Sequence, residues 1–417
     1  MKKFLLIFFT IIITILPSYA EIEKISIDEA VNKALENNLS LQAKRKEINV
    51  LEQEVKMANA LKNPQFQSNV LVGSIAKSNA SQLGAAIPVE ISKRGVRKKA
   101  ALANLNLIQN EVRQAEHDLK INVMNAYFEV LYMKSVVAIM QQRELLYKNL
   151  KFLTETKSTT SNNYEIDKLQ ADIKYKKQII LLNKAKADLL YAQFHLNNSL
   201  NLESTETMYD AKEESLFAEN ISLLNITLPE YSVIEEIATK FSYSIRIADN
   251  NIEKSEKELD VAGHKVIPDL TLVGGYAFSH ERDNLGGYVG AYLDLPIFYA
   301  YRPEVNRAKI ILEKAKTDKI SFEKKLEFAL KQNFNQFKYA KENMGYYKDI
   351  LKESDDILKL STEKYESGNL NLTNLIIIEY THQDMLNEYI SAMQVYYHSY
   401  LDLMHNMGHD ILLEQDI

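Results

Sequence analysis

The 417-residue chain contains no cysteine and no tryptophan. Without cysteine there can be no disulfide, so packing alone must hold the fold. Its absence also removes the residue to which a bacterial lipid anchor is joined, and a bare, non-lipidated mature N-terminus is expected. Glycine (12) and proline (7) are scarce, well below average usage. Few turn-makers mean few turns and long elements. A basic excess is missing too: 50 Lys and Arg stand against 56 Asp and Glu, a formal net charge of −6. That excludes the electrostatic footprint of a nucleic-acid binder. Beyond residue 20 no apolar run reaches the length of a transmembrane helix, so any membrane crossing has to use strands. No glycine-rich phosphate loop or nucleophile elbow is present. The chain is read as neither an enzyme nor a cofactor binder.

What is present begins with a leader. Residues 1–20 carry Lys2 and Lys3, an apolar core from Phe4 to Leu16 and the small-x-small pattern Ser18-Tyr19-Ala20. This is the grammar of a cleaved secretory signal peptide, so the mature chain is expected outside the cytoplasm. Next comes a stretch that occurs twice, from Pro64 to Gly95 and from Pro268 to Pro303. Each copy holds two alternating runs around a polar loop. Leu83, Ala85, Ile87, Val89 and Ile91 alternate with polar or small residues. So do Leu270, Leu272, Tyr276 and Phe278, and again Val289, Ala291, Leu293, Leu295 and Ile297. Period two means strand, and runs of about nine to eleven residues can cross a bilayer. Hairpins are placed at 65–91 and 269–298; the first strand, Gln65 to Ile75, alternates poorly.

Each hairpin feeds a long helical pattern. The mature start reads as a capping box, Ser26 with Glu29, opening a helix that breaks near Asn37-Asn38 and continues towards Ala58. From Lys93 to Glu155 no proline interrupts roughly sixty residues, about 90 Å of helix. Ala101, Leu105, Ile108, Val112, Ala115, Leu119, Asn122 and Ala126 repeat at coiled-coil spacing. A polar turn at 157–163 precedes a return helix from Glu165 to Asn198. The second half repeats this. Its seam falls on Ala308, Leu312, Ala315, Lys319, Phe322, Leu326, Ala329 and Asn333, within a helix from Val305 to Tyr365. A turn at 366–371 and a return helix from Leu372 to Met407 follow, with Gly408 as C-cap. The fold class is mainly α with a small β part, a duplicated long-helix coiled-coil unit with one β-hairpin in each repeat. The domains are a signal peptide (1–20), a first repeat (21–200), a connector without period (201–230), a second repeat (231–408) and a C-terminal tail (409–417).

A four-stranded ribbon has two open edges. In hydrocarbon each unpaired backbone group costs several kcal/mol, and membrane barrels need about eight strands or more. The chain therefore has to close with copies of itself, and a water-filled lumen favours three or four of them. Such an assembly is a conduit.

Four motifs give this chain its likeness to a known family: Ser26-Ile27-Asp28-Glu29-Ala30-Val31 with Ala34-Leu35-Glu36-Asn37-Asn38; Ile87-Pro88-Val89 followed by Arg94-Gly95; Leu295-Pro296-Ile297-Phe298; and Tyr365-Glu366-Ser367-Gly368-Asn369-Leu370-Asn371-Leu372. Over the mature chain they resemble the TolC-like outer-membrane efflux protein family, nearest the CusC/CzcC-type members that serve RND pumps. The resemblance implies a homotrimer with a twelve-stranded transmembrane β-barrel in outer-membrane lipid and a periplasmic α-helical barrel. It also implies a periplasmic adaptor (membrane fusion) protein docked at the tips and an inner-membrane RND or ABC pump. The implied docking tip is Ser161, Asn162, Tyr365, Gly368, Asn369, Leu372 and Thr373. Family entrances are ringed by carboxylates; here the matching positions hold Asn374 and Ile377, with Glu379 close by, and the first repeat has Asp167 where the second has Asn374. This departs from an acidic ring and leaves Asp167, Asn374 and Glu379 as entrance-lining candidates.

Other chemistry is weighed against plain structure. His405 and His409 have a metal-ligand spacing, but Gly408 breaks the face they would share, so a polar helix end is preferred and no metal is assigned. Tyr276, Tyr288, Tyr292 and Tyr299 fit either an aromatic girdle or strand-helix packing. The reading is the passive outer-membrane channel of a tripartite efflux system. A type I secretion duct and a non-channel periplasmic coiled-coil scaffold are the rivals.

Overall fold

The protein is described from a computed structural model, which covers residues 21–70, 80–156, 164–201, 207–216, 226, 228–279, 284–367, 369–370 and 372–409. The expected leader at 1–20 and the expected first tip at 157–163 lie outside the described residues. In chain order the elements are β1 (Glu21–Ile25), α1 (Ile27–Asn37), α2 (Leu39–Ala58), β2 (Gln65–Asn69), β3 (Ala80–Val89), α3 (Lys93–Thr156), α4 (Tyr164–Leu200), β4 (Thr207–Ala211), α5 (Tyr231–Phe241), α6 (Tyr243–His264), β5 (Leu270–Ser279), β6 (Asn284–Leu293), α7 (Arg302–Glu366) and α8 (Leu372–Met407). They form two compact units. One takes the chain to Gln42, Ala115–Lys240 and from Phe328 onwards; the other takes Ala43–Gln114 and Phe241–Glu327.

The first unit is helical. Its α1 starts on the expected capping box: the Glu29 amide donates to Ser26 Oγ at 3.3 Å and the Ser26 amide donates to Glu29 Oε2 at 2.8 Å. The break at Asn38 has a cause. Its amide closes α1 on Ala34 O at 2.9 Å, and its Oδ1 accepts from the Leu41 amide at 3.0 Å, starting α2. One asparagine therefore caps two helices. The core lies where α3, α7 and α8 carry aromatic side chains. Phe128 stacks on Tyr397 with centroids 4.4 Å apart, and Phe337 meets Tyr396 at 5.1 Å and Tyr400 at 5.6 Å.

Two expectations change here. Between Ile121 and Leu131, α3 buries Val123, Met124, Ala126, Tyr127, Phe128 and Val130, which is most of its circumference rather than one seam. That makes α3 apolar enough to pass for a membrane span, with a window of mean hydropathy 1.3, yet 56% of that window is buried inside the protein. It is a core helix. In α7 the expected seam holds, except that Phe322 is exposed.

The connector is also corrected. Residues 201–230 contain β4, which pairs in parallel with β1 from Glu21↔Thr207 to Ile25↔Ala211. No period announced it, because its partners lie far away in sequence. The Asn197 side chain on α4 completes the other edge, accepting from the Tyr209 amide and donating to its carbonyl, both at 2.7 Å. A buried ion pair fixes the ribbon to α3: Lys134 Nζ lies 2.8 Å from Asp210 and donates to Ala211 O at 2.6 Å. The Tyr127 hydroxyl bonds to Ile25 O at 2.9 Å and to Glu213.

The second unit holds the sheet, in the order β2-β3-β5-β6 and antiparallel throughout. β6 ends at Leu293, short of the expected Ile297, because its partner β5 begins at Leu270 and Leu270↔Leu293 is the last rung. The expected run of the first strand to Ile75 lies outside the described residues beyond Val70.

Candidate membrane sheet and helical tip

The two faces of the sheet differ in kind. Register places Phe66 beside Ala85, Leu83 beside Tyr276, Ile87 beside Leu272, and Val89 beside Leu270. It continues with Leu270 beside Leu293, Gly274 beside Val289, and Phe278 beside Leu285. These residues form one continuous apolar face. It is the exposed one: Val289 is 93% accessible and Tyr276 62%, while Ala86 on the opposite face is 0%. The opposite face carries Gln82, Gly84 and Ala86, then Thr271, Gly275 and Ala277, then Tyr288 and Tyr292. This inverts the arrangement of a soluble sheet.

No Asp, Glu, Lys or Arg stands in any of the four strands. Charge returns just outside them. Lys62 and Lys93 lie 3.0 and 3.2 Å from the Asp269 carboxylate. Burial pushes that carboxyl up, but the two ammonium groups outweigh it and hold it below its usual value. Arg97 grips Glu90 through two bonds of 2.7 and 3.1 Å and also donates to Ala58 O at 3.0 Å, while Arg94 donates to Asn59 O at 2.7 Å. This clamp ties the end of α2 to the start of α3. Strands of 10 residues, tilted at about 45°, rise ~25 Å, the height of a barrel's apolar band. β2 and β6 are open edges.

One row on the small-residue face is especially tight. Gln67, Gly84, Gly275 and Tyr288 are successive partners across all four strands. The Tyr288 hydroxyl occupies the space a Cβ on Gly84 would need. A Cβ on Gly275 would overlap Leu83 O and come within 2.5 Å of Gly84 Cα. The ring therefore lies across two glycines, on the face away from the apolar band. Of the girdle candidates, Tyr276 sits in the apolar face and Tyr288 and Tyr292 do not.

At the tip, Tyr365 is exposed in the last turn of α7. The Asn369 amide donates to Lys364 O at 2.8 Å and its Nδ2 to Ser367 Oγ at 3.1 Å, which makes the turn tight. Asn374 is exposed on α8; Glu379 is half-buried, and burial pushes its carboxyl above the usual range. Ser161, Asn162 and Gly368 lie outside the described residues, as do the side chains of Asp167, Leu372 and Thr373. A cluster missed in the sequence lies where Arg143 of α3 faces α8. Its Nη2 donates to Asp384 at 3.2 Å and its guanidinium lies 5.3 Å from the Tyr380 ring centroid. Tyr147, Lys177 and Ile377 share the groove. The partners are 241 residues apart, so no local motif marks them.

His405 is an ion-pair partner: its Nε2 lies 3.0 Å from Asp118 Oδ1, and its ring stacks on His117 at 6.1 Å. His409 follows Gly408, whose φ of 67 ends the helix. Among the described residues no group of three His, Asp or Glu side chains could hold a metal ion.

No family model matches the sequence, and no curated protein matches it. The fold does match known structures. It aligns with CusC, solved for conformational changes in folding and transmembrane channel formation, at a TM-score of 0.74 and 14% identity, covering 92% of each chain. The open-state MtrE outer-membrane channel of Neisseria gonorrhoeae aligns at 0.73 and 15%, covering 92% of this chain and 88% of that one. The CmeC outer-membrane channel of Campylobacter jejuni aligns at 0.72 and 14%, covering 94% and 88%. The chain has the fold of these outer-membrane channels, as its resemblance to the TolC-like family implies.

Proposed function

We propose that a chain folded as these channels are is itself an outer-membrane channel, the passive exit duct of a tripartite efflux system. The observation that carries this reading is the inverted, charge-free sheet with two open edges. A soluble scaffold would leave that face in water. In a bilayer the face is satisfied, and the edges then have to close on copies of the same chain. Exposed apolar stripes on the helices support such closure. Leu169, Ile173, Ile180, Tyr191 and Phe194 lie open on α4, and Tyr339, Tyr346, Ile350, Ile357 and Leu360 on α7. Three copies form a twelve-stranded barrel continued by a helical barrel in the periplasm. The tips at 157–163 and 366–371 meet a periplasmic adaptor, with Tyr365 and Asn369 as contacts and Asp167, Asn374 and Glu379 lining the entrance. An inner-membrane pump of the RND class supplies the energy; an ABC exporter replaces it if the duct serves type I secretion.

The absence of cysteine makes the test clean. Ser68→Cys on β2 is combined with single cysteines scanned along Leu285–Val289 on β6. Oxidation in the outer-membrane fraction should link chains into species no larger than a closed trimer, and the purified material should conduct across planar lipid bilayers. A lone chain in detergent that never cross-links and conducts nothing would end the proposal.

A further inference from the structure

The apolar surface of the sheet does not stop where the hydrogen bonding stops. The odd-numbered row of β6, Leu285, Val289 and Leu293, continues through Leu295 and Ile297, all of them exposed, although the last rung is Leu293. Asp294, between Leu293 and Leu295, belongs to the even-numbered row instead. At Pro296 the backbone makes a tight turn, with the Ile297 amide donating to Leu295 O at 2.9 Å, the mark of an inverse γ-turn. Phe298 follows, at 104% accessibility. Among the described residues none covers it.

The next residues change character in order. Tyr299 and Tyr301 meet edge to face at 5.2 Å. Tyr301 takes a positive φ of 54, and its carbonyl accepts from the Val305 amide at 3.2 Å, so it opens α7. Arg302, exposed, comes next. Along the chain the sequence is thus bare hydrocarbon, then amphipathic rings, then fixed positive charge. That is the order of environments across the boundary between acyl chains, headgroups and water.

The first repeat lacks this device. Only residues 90–92 separate β3 from α3, and Glu90 is held there by Arg97. Residues 294–301 separate β6 from α7. The second repeat alone therefore has a free apolar loop at this point.

We infer that Leu295, Ile297 and Phe298 form a wedge that inserts into the phospholipid leaflet on the periplasmic side of the membrane, with Tyr299, Tyr301 and Arg302 at its headgroups. The inference rests on the membrane reading of the sheet. It adds a lipid contact outside the hydrogen-bonded wall and predicts one such wedge per chain.

A chain without tryptophan allows a direct test. Phe298→Trp and Val289→Trp are each reconstituted, as the sole tryptophan, into phosphatidylethanolamine and phosphatidylglycerol vesicles with and without brominated acyl chains. Position 289 reports whether the sheet is in lipid at all. Both tryptophans are expected to be quenched by the brominated lipid and shielded from aqueous iodide. Quenching at 289 with an iodide-accessible 298 overturns the wedge and leaves the channel reading standing. Failure to quench at 289 removes both. If tryptophan at 298 prevents assembly, a bimane on Phe298→Cys gives the same readout.

Discussion

The row that crosses the sheet gives the sharpest quantitative expectation. In Gly275→Ala the new methyl would meet the Leu83 carbonyl and lie 2.5 Å from Gly84 Cα. Both obstacles are backbone, so no side chain can turn away; β3 and β5 have to part. Overpacking alone costs ~1–3 kcal/mol, and each ladder bond lost adds about 1 kcal/mol. The total is about 3 kcal/mol or more. Gly84→Ala should behave similarly, because its methyl meets the Tyr288 hydroxyl and also lies 2.6 Å from Gly274 O. Adding Tyr288→Phe removes only the first obstacle and should not rescue it. Gly286→Ala is the control: nothing lies within 4 Å of its Cβ, and the smaller conformational freedom of alanine in the unfolded chain should make it neutral or ~0.5 kcal/mol stabilising. Urea unfolding in detergent micelles, followed by tyrosine fluorescence, measures all four variants. Equal midpoints for Gly275→Ala and Gly286→Ala would refute the close approach of β3 and β5.

Three further perturbations concern the helical unit. Asn197→Ala leaves both backbone groups of Tyr209 without their partner and should cost about 2–3 kcal/mol, read as a drop in thermal midpoint. Lys134→Met strands the buried Asp210 carboxylate and should cost ~3–5 kcal/mol, whereas the pair Lys134→Met with Asp210→Asn should recover most of it; a double-mutant cycle decides. The bond to Asp118 is the main force raising the proton affinity of His405, whereas burial and His405 itself depress that of His117. The His405 contribution is therefore complete below its unfolded pKa of about 6.5 and fades as pH rises through the higher folded value. The His117 shift has the opposite sign and weakens the protein in acid. Asp118→Asn should flatten the pH dependence of the unfolding midpoint as pH rises past the unfolded value of about 6.5, and an unchanged profile would count against the bridge.

How much of this could be read beforehand depended on how local the cause was. The capping box at Ser26, the break at Asn38 and the ends of α8 are set by side chains within a few residues, and all were visible in the string of residues. The alternation of Leu83, Ile87 and Val89 predicted a strand with an apolar face, but not that this face would be the exposed one. β4 was invisible for the opposite reason. Thr207–Ala211 has no pattern of its own; β1, Asn197 and Lys134 hold it in place from distant positions. The Arg143–Asp384 contact joins α3 to α8 in the same non-local way. The extra apolar residues at Leu295 and Ile297 were read as strand because period two does not distinguish a paired strand from an extended segment that has run out of partners.

The scarcity of glycine also takes on a different meaning. The chain has 12 glycines, and Gly84, Gly274, Gly275, Gly286, Gly287 and Gly290 all stand inside strands. Glycine weakens a strand, through lost entropy and a missing side chain, so half of a scarce residue is placed where it stabilises least. A flat soluble sheet has no reason to accept that. A wall that must curl does, because its inner face is compressed and adjacent backbones approach too closely for a Cβ. Gly84 and Gly275 meet on the face that also carries Tyr288 and no charge, opposite the apolar band. If that face is the concave one of a membrane barrel, alanine at Gly84 or Gly275 should be far more harmful than alanine at Gly274 or Gly287 on the convex side, where the same methyl would point into lipid.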